Sequence, residues 1–187
     1  MLEIRWHGRG GQGAVTAAKL LASAAMRAGK NFQAFPEYGP ERRGAPVQAF
    51  TRIDEAPIRV FSQVAEPDIV VVLDPTLIGK APLASGLGED GILLANYDGS
   101  PQELREKVGL EGGKVYTVNA TSIALETMGK AITNTPMVGA LVKVAGMLTI
   151  DSVIDEVKAM FGDKLKASLV EANIQALRRA YEEVKGE

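Results

Sequence analysis

The run Gly8-Arg9-Gly10-Gly11-Gln12-Gly13 constrains this chain more than any other stretch. Leu2, Ile4 and Trp6 alternate with polar residues ahead of it, the period of a strand. Val15, Ala18, Leu21, Ala22, Ala25 and Met26 follow at helical spacing, and Gly29 is a natural stop, so a first helix is predicted over about Gly11 to Ala28. Strand, glycine turn and helix open an α/β unit. The glycines permit positive φ and close approach of a ligand to the backbone. The helix start aims unpaired N–H groups and its positive dipole end at the same spot. Gly8-x-Gly10-x-x-Gly13 in this setting is a candidate pyrophosphate cradle. A tight strand-to-helix turn with no ligand uses the same residues.

The remainder reads in chain order. Residues 31–37 form a second strand, ended at Pro36. Tyr38 to Pro46 is a loop with two glycines and two prolines. Val47–Ile53 and Ile58–Phe61 read as a hairpin across Asp54-Glu55-Ala56-Pro57, because so short a connection implies antiparallel pairing. Ile69–Leu73 is a continuous β-branched run bounded by turn residues, as a buried parallel strand is. Ile92–Ala95 and Lys114–Val118 are further strands. Helices are predicted over 101–108 with Ser100 as cap, over 120–128, and over 137–145, the last apolar nearly all round and hence buried. Two more cover 152–160, capped by Asp151, and 165–184. The expected architecture is one α/β domain over residues 1–187: a mostly parallel, Rossmann-like sheet flanked by helices, with an antiparallel hairpin around residues 45–61.

Composition narrows the chemistry. The 187 residues include no cysteine and one histidine, His7. Disulfides, Cys-ligated zinc and Cys-ligated iron–sulfur clusters within this chain are excluded. No metal site is expected. The formal net charge of −2 gives no general attraction to nucleic acid. No apolar run has the length of a membrane span and no signal peptide is visible, so the expected location is the cytoplasm.

No catalytic constellation stands out. His7 ends the first strand, where ligands bind in such sheets, but a lone histidine there is more often packed. Glu37 falls near where a dinucleotide fold places its ribose-binding acid. Asp74-Pro75 reads as a turn. The Tyr38–Pro46 loop is rigid and carries Glu41, Arg42 and Arg43, groups able to meet a phosphate or a partner's carboxylate. Asn134 or Thr135 can cap the buried helix, and the Asn134 amide can face a ligand there. The residues by themselves describe a binding module without evident catalytic groups; NAD(P) binding by a free-standing protein and an empty structural turn both stay open.

The segments HGRGGQG, YGPERRGAP with AFTRI, PDIVVVLD and NTPMVGAL, in this order over about residues 4 to 145, resemble the gamma subunit of 2-oxoacid:ferredoxin oxidoreductases, and most of all that of pyruvate:ferredoxin oxidoreductase. The subunits of the 2-oxoglutarate, branched-chain and indolepyruvate enzymes look similar. The resemblance implies a complex of alpha, beta, gamma and delta subunits serving anaerobic metabolism. Such a complex converts pyruvate, coenzyme A and oxidised ferredoxin to acetyl-CoA, carbon dioxide and reduced ferredoxin. It implies thiamine diphosphate, Mg and 4Fe–4S clusters on partner chains, coenzyme A as the ligand of this subunit, and a chain inactive alone. Under that resemblance Gly8, Arg9, Gly10, Gly11, Gln12 and Gly13 cradle the coenzyme A phosphates. Glu41, Arg42 and Arg43 line its channel, Asn134 reaches toward its thiol end, and no residue is catalytic.

Overall fold

The computed structural model describes residues 1–37 and 44–187. Among these residues seven strands, β1 (Leu2–Arg9), β2 (Asn31–Pro36), β3 (Pro46–Asp54), β4 (Ile69–Val72), β5 (Ile92–Asn96), β6 (Lys114–Val118) and β7 (Lys185–Gly186), form one sheet in the order β2-β3-β1-β4-β5-β6-β7. β1, β4, β5 and β6 run parallel and form its centre. β3 is antiparallel to β1 and to β2, and β7 is antiparallel to β6. The mostly parallel α/β architecture is as expected from the continuous apolar runs of β4 and β5.

The described residues also form six α-helices: α1 (Ala14–Arg27), α2 (Pro101–Val108), α3 (Ala120–Met128), α4 (Asn134–Ala145), α5 (Ile150–Phe161) and α6 (Ala167–Glu183). The first helix starts at Ala14, three residues later than expected, because the positive φ of Gly11 and Gly13 keeps the turn out of the helix. α2 carries the capping box foreseen at Ser100, closed by Glu103. α5 is capped by Thr149, not Asp151.

The helices are unequally divided. α1, α3, α4, α5 and α6 pack on one face over Ile4, Trp6, Val71, Leu73 and Leu94. α2 and the segment around Leu77 and Leu83 cover Val70, Val72, Leu93 and Val115 on the other. The irregular segment 55–66 is held to β1 and β3 by Arg5, which donates to the Ala65 carbonyl, and Arg52, which donates to the Val60 carbonyl; Phe61 within it is 86% exposed.

The expected hairpin needs correction. β3 is there and is antiparallel, but Ile58–Phe61 is not a strand. A strand has two edges, and both edges of β3 are already taken, by β1 and by β2. Asp54 Oδ1 accepts from the Ala56 N–H at 3.2 Å, and Pro57 has no N–H to give to a ladder. The hairpin partner of β3 is β2, across residues 37–45.

Candidate functional site

The site lies at the carboxyl end of β1. Chain that follows β1 goes to β2 and β3 on one side and then to β4 on the other, so β1 and β4 flank a switch point, where open α/β sheets bind ligands.

The backbone of the turn is fixed on three sides. Gly10 donates to the Ala45 carbonyl at 2.9 Å and accepts from the Gly44 N–H at 3.2 Å. The Gln12 N–H donates to the Arg9 carbonyl at 3.0 Å. Gly11 and Gly13 have φ of 92° and 82°, values that cost a residue with a Cβ about 1–2 kcal/mol. Gly13 caps α1 without a side chain, and the N–H groups of Ala14, Val15 and Thr16 have no acceptor among the described residues.

Asn134 arrives from the far end of the chain. It is the first residue of α4 and only 9% exposed. Its Oδ1 accepts from the Thr135 N–H at 2.9 Å, the local bond that suits an Asn at a helix start. Its Nδ2 lies over Gly13, 2.8 Å from where a Cβ would stand, and has no acceptor among the described residues. Two helix N-termini and the amide donor of Asn134 therefore meet at one point, an arrangement suited to an anion.

The side chains of the turn bond to the turn itself and to the segment after β4. Gln12 Oε1 accepts from the Arg9 N–H at 2.7 Å, and Gln12 Nε2 donates to Asp74 Oδ2 at 2.5 Å. Arg9 Nε lies 3.2 Å from the same carboxylate oxygen; its guanidinium also donates to Thr76 Oγ1 at 3.0 and 3.1 Å and to the Gly44 carbonyl at 3.1 Å. Asp74 Oδ1 accepts from the Thr76 N–H at 2.8 Å. Asp74 is 4% exposed. Burial pushes its pKa up, but the bonds from Thr76 and Gln12 and the charge of Arg9 outweigh it and hold the carboxyl below its usual range. The charges of Arg9 and Asp74 thus cancel under the turn. In the sequence Asp74 looked like a turn former, which it also is, since it caps the short 3₁₀ turn Pro75–Leu77.

Of the residues expected at the site, Gly8 to Gly13 and Asn134 are brought together. Glu41, Arg42 and Arg43 lie outside the described residues. Glu37 ends an edge strand, where its carboxylate accepts from Gln63 Nε2 at 3.2 Å. Because β3 stands between β2 and β1, Glu37 is two strand spacings, about 10 Å, from β1, one spacing farther than a ribose-binding acid stands. His7 is buried and accepts from Arg5 Nε at 3.1 Å through Nε2. Burial, reinforced by the Arg5 charge, lowers its pKa to about 4, so it is neutral at pH 7 and its Nε2 lone pair is occupied.

Residues 3–183 match the family described as pyruvate ferredoxin/flavodoxin oxidoreductase. The chain is 52% identical over 183 residues to pyruvate synthase subunit PorC of Thermotoga maritima, covering 98% of this chain and 94% of that one. It is 52% identical over 185 residues to the pyruvate/ketoisovalerate oxidoreductases common subunit gamma of Pyrococcus abyssi, covering 99% and 98%. The crystal structure of pyruvate oxidoreductase subunit PORC from Thermotoga maritima superimposes with a TM-score of 0.88 and 47% identity, covering 100% of this chain and 98% of that one.

Proposed function

The chain belongs to the pyruvate ferredoxin/flavodoxin oxidoreductase family, as a gamma-type subunit of the pyruvate synthase kind, and on that premise we propose that its glycine turn binds coenzyme A for the assembled enzyme. The observation that carries the reading is the meeting of the α1 N-terminus with Asn134 Nδ2 at Gly13. The N–H groups of Ala14 to Thr16 would hold a phosphate, and Asn134 would add one directed donor. Gly8 to Gly13 supply the shape. Glu41, Arg42 and Arg43 would face the rest of the coenzyme or the catalytic chains.

The chain has no cysteine for a cluster, which supports a division of labour with alpha, beta and delta partners. Thiamine diphosphate, Mg and the iron–sulfur clusters would sit on those chains, and ferredoxin would dock on the complex. Pyruvate would be oxidatively decarboxylated there, or acetyl-CoA carboxylated in reverse. The relative from Pyrococcus abyssi is named as common to pyruvate and ketoisovalerate enzymes. That supports a second reading, in which this chain serves whichever 2-oxoacid the partner chains select.

The test uses the assembled complex. Asn134→Ala removes one donor to an anion and should raise KM for coenzyme A about tenfold, leaving KM for the 2-oxoacid unchanged. An unchanged KM for coenzyme A would overturn the coenzyme reading.

A further inference from the structure

We infer that Asp74 is the positioning residue of the glycine turn: it holds Gln12 and Arg9 against the end of β4, so that, among the described residues, backbone N–H groups and the Asn134 amide are left to meet an anionic ligand. The inference deepens the coenzyme A reading and rests on it for the identity of the ligand, but not for the geometry.

Gln12 is a strut. Its amide oxygen takes the N–H of Arg9 at the start of the turn, and its amide nitrogen reaches across to the Asp74 carboxylate. Arg9 is a second strut, running from Asp74 and Thr76 to the Gly44 carbonyl in the next loop. Asp74 itself stands on a rigid base. The Leu73 N–H donates to the His7 carbonyl at 2.8 Å, continuing the β1–β4 ladder to the residue before it. One buried carboxylate therefore ties together three segments, 9–13, 44–45 and 74–76. Both of its oxygens are used: Oδ2 by Gln12 and Arg9, Oδ1 by Thr76.

An amide at position 74 cannot reproduce this. It has one acceptor oxygen for two N–H donors, Gln12 Nε2 and the Thr76 N–H, so its own NH₂ must face one of them. It also leaves Arg9 without a counter-charge. The arrangement can be rebuilt with the charge on the other partner. In the double variant Asp74→Asn with Gln12→Glu, the new carboxylate accepts from Arg9 N and from the new amide, whose oxygen stays on Thr76; the negative charge moves to position 12, and Arg9 keeps its bonds to Thr76 and to the Gly44 carbonyl.

The test measures amide hydrogen exchange in the full chain and steady-state kinetics in the assembled complex. Asp74→Asn should speed exchange at the Gly10 and Gln12 amides at least about tenfold and raise KM for coenzyme A by a similar factor, with KM for the 2-oxoacid unchanged. The double variant should return both to within about threefold of the parent, a rescue that mere loss of folding stability would not show. Unchanged exchange at Gly10 and Gln12 in Asp74→Asn, or a double variant no better than the single one, would overturn the inference. If Asn134→Ala leaves KM for coenzyme A unchanged while the exchange result stands, the coenzyme reading falls and the positioning role survives. The opposite pattern removes the positioning role alone.

Discussion

Asn134 Nδ2 occupies the space that a side chain at Gly13 would need: a Cβ added there would stand 2.8 Å from it and 3.2 Å from Asn134 Cβ. Two penalties therefore coincide at Gly13, the left-handed φ of 82° and the clash. Gly11 carries only the first, since nothing lies within 4 Å of its added Cβ. Gly13→Ala should destabilise the chain by about 3 kcal/mol, against about 1 kcal/mol for Gly11→Ala. Adding Asn134→Gly to the Gly13 variant should recover the clash and leave the backbone cost. Urea unfolding of the three variants against the parent checks the difference.

A second close approach lies in the core. A Cβ at Gly139 would meet the Leu177 carbonyl oxygen at 2.1 Å, so α4 and α6 touch backbone to backbone at this point. Gly139 is helical, and alanine would ordinarily improve its helix. Here Gly139→Ala should instead cost about 3 kcal/mol, because a main chain cannot step aside as a side chain can. A raised denaturation midpoint in this variant would contradict the packing described.

His7 gives the chain an acid-side instability. Its native pKa of about 4 is below the ordinary value of 6.5, owing first to burial and then to Arg5. The unfolded chain therefore binds the proton more readily. Stability should be fully present above pH 6.5 and fall as the pH drops toward 4, by about 3 kcal/mol at about 1.4 kcal/mol per tenfold difference in proton affinity. His7→Gln keeps an acceptor for Arg5 Nε without titrating, and should flatten the profile between pH 6.5 and 4. Denaturation midpoints across that range measure it.

Arg27 and Glu156 tie the end of α1 to α5. Glu156 has 8% of its side chain exposed, while Arg27 is half in solvent. Removing the cation strands a buried carboxylate, whereas neutralising the acid leaves a solvated cation. Arg27→Met should cost about 2 kcal/mol and Glu156→Gln less than half of that. Equal losses would show that the pair acts as an exposed one.

The sequence exposed what local patterns can carry. The Ala-rich spacing placed α1, the β-branched run placed β4, and Ser100 with Glu103 marked the start of α2. Ile58–Phe61 has strand-like composition, but whether an edge was free for it depended on where β2 would go, a long-range fact. The same limit applies at the site. Glycines and Asn134 could be singled out by type and by their place at helix starts. That Gln12 and Arg9 face Asp74 required the β1–β4 register, which no spacing in the sequence records. A polar residue directly after a buried parallel strand is the one local signal that pointed to Asp74, and its turn-forming role was sufficient to explain it.

The strand order also fixes when the turn can exist. β1 leaves the ribosome before β3 and β4, yet Leu2 pairs with Ile53 and Ile4 with Ile69, and β2, made between β1 and β3, does not pair with it. A nascent chain must keep its N-terminal strand unpaired until two later strands have appeared, and loop closure of that length is a slow step. Gly8 to Gly13 are made early, but Asp74 and Asn134 are made long afterwards. The glycine turn, synthesised ahead of the residues that hold it, is therefore completed only after Asn134 has emerged.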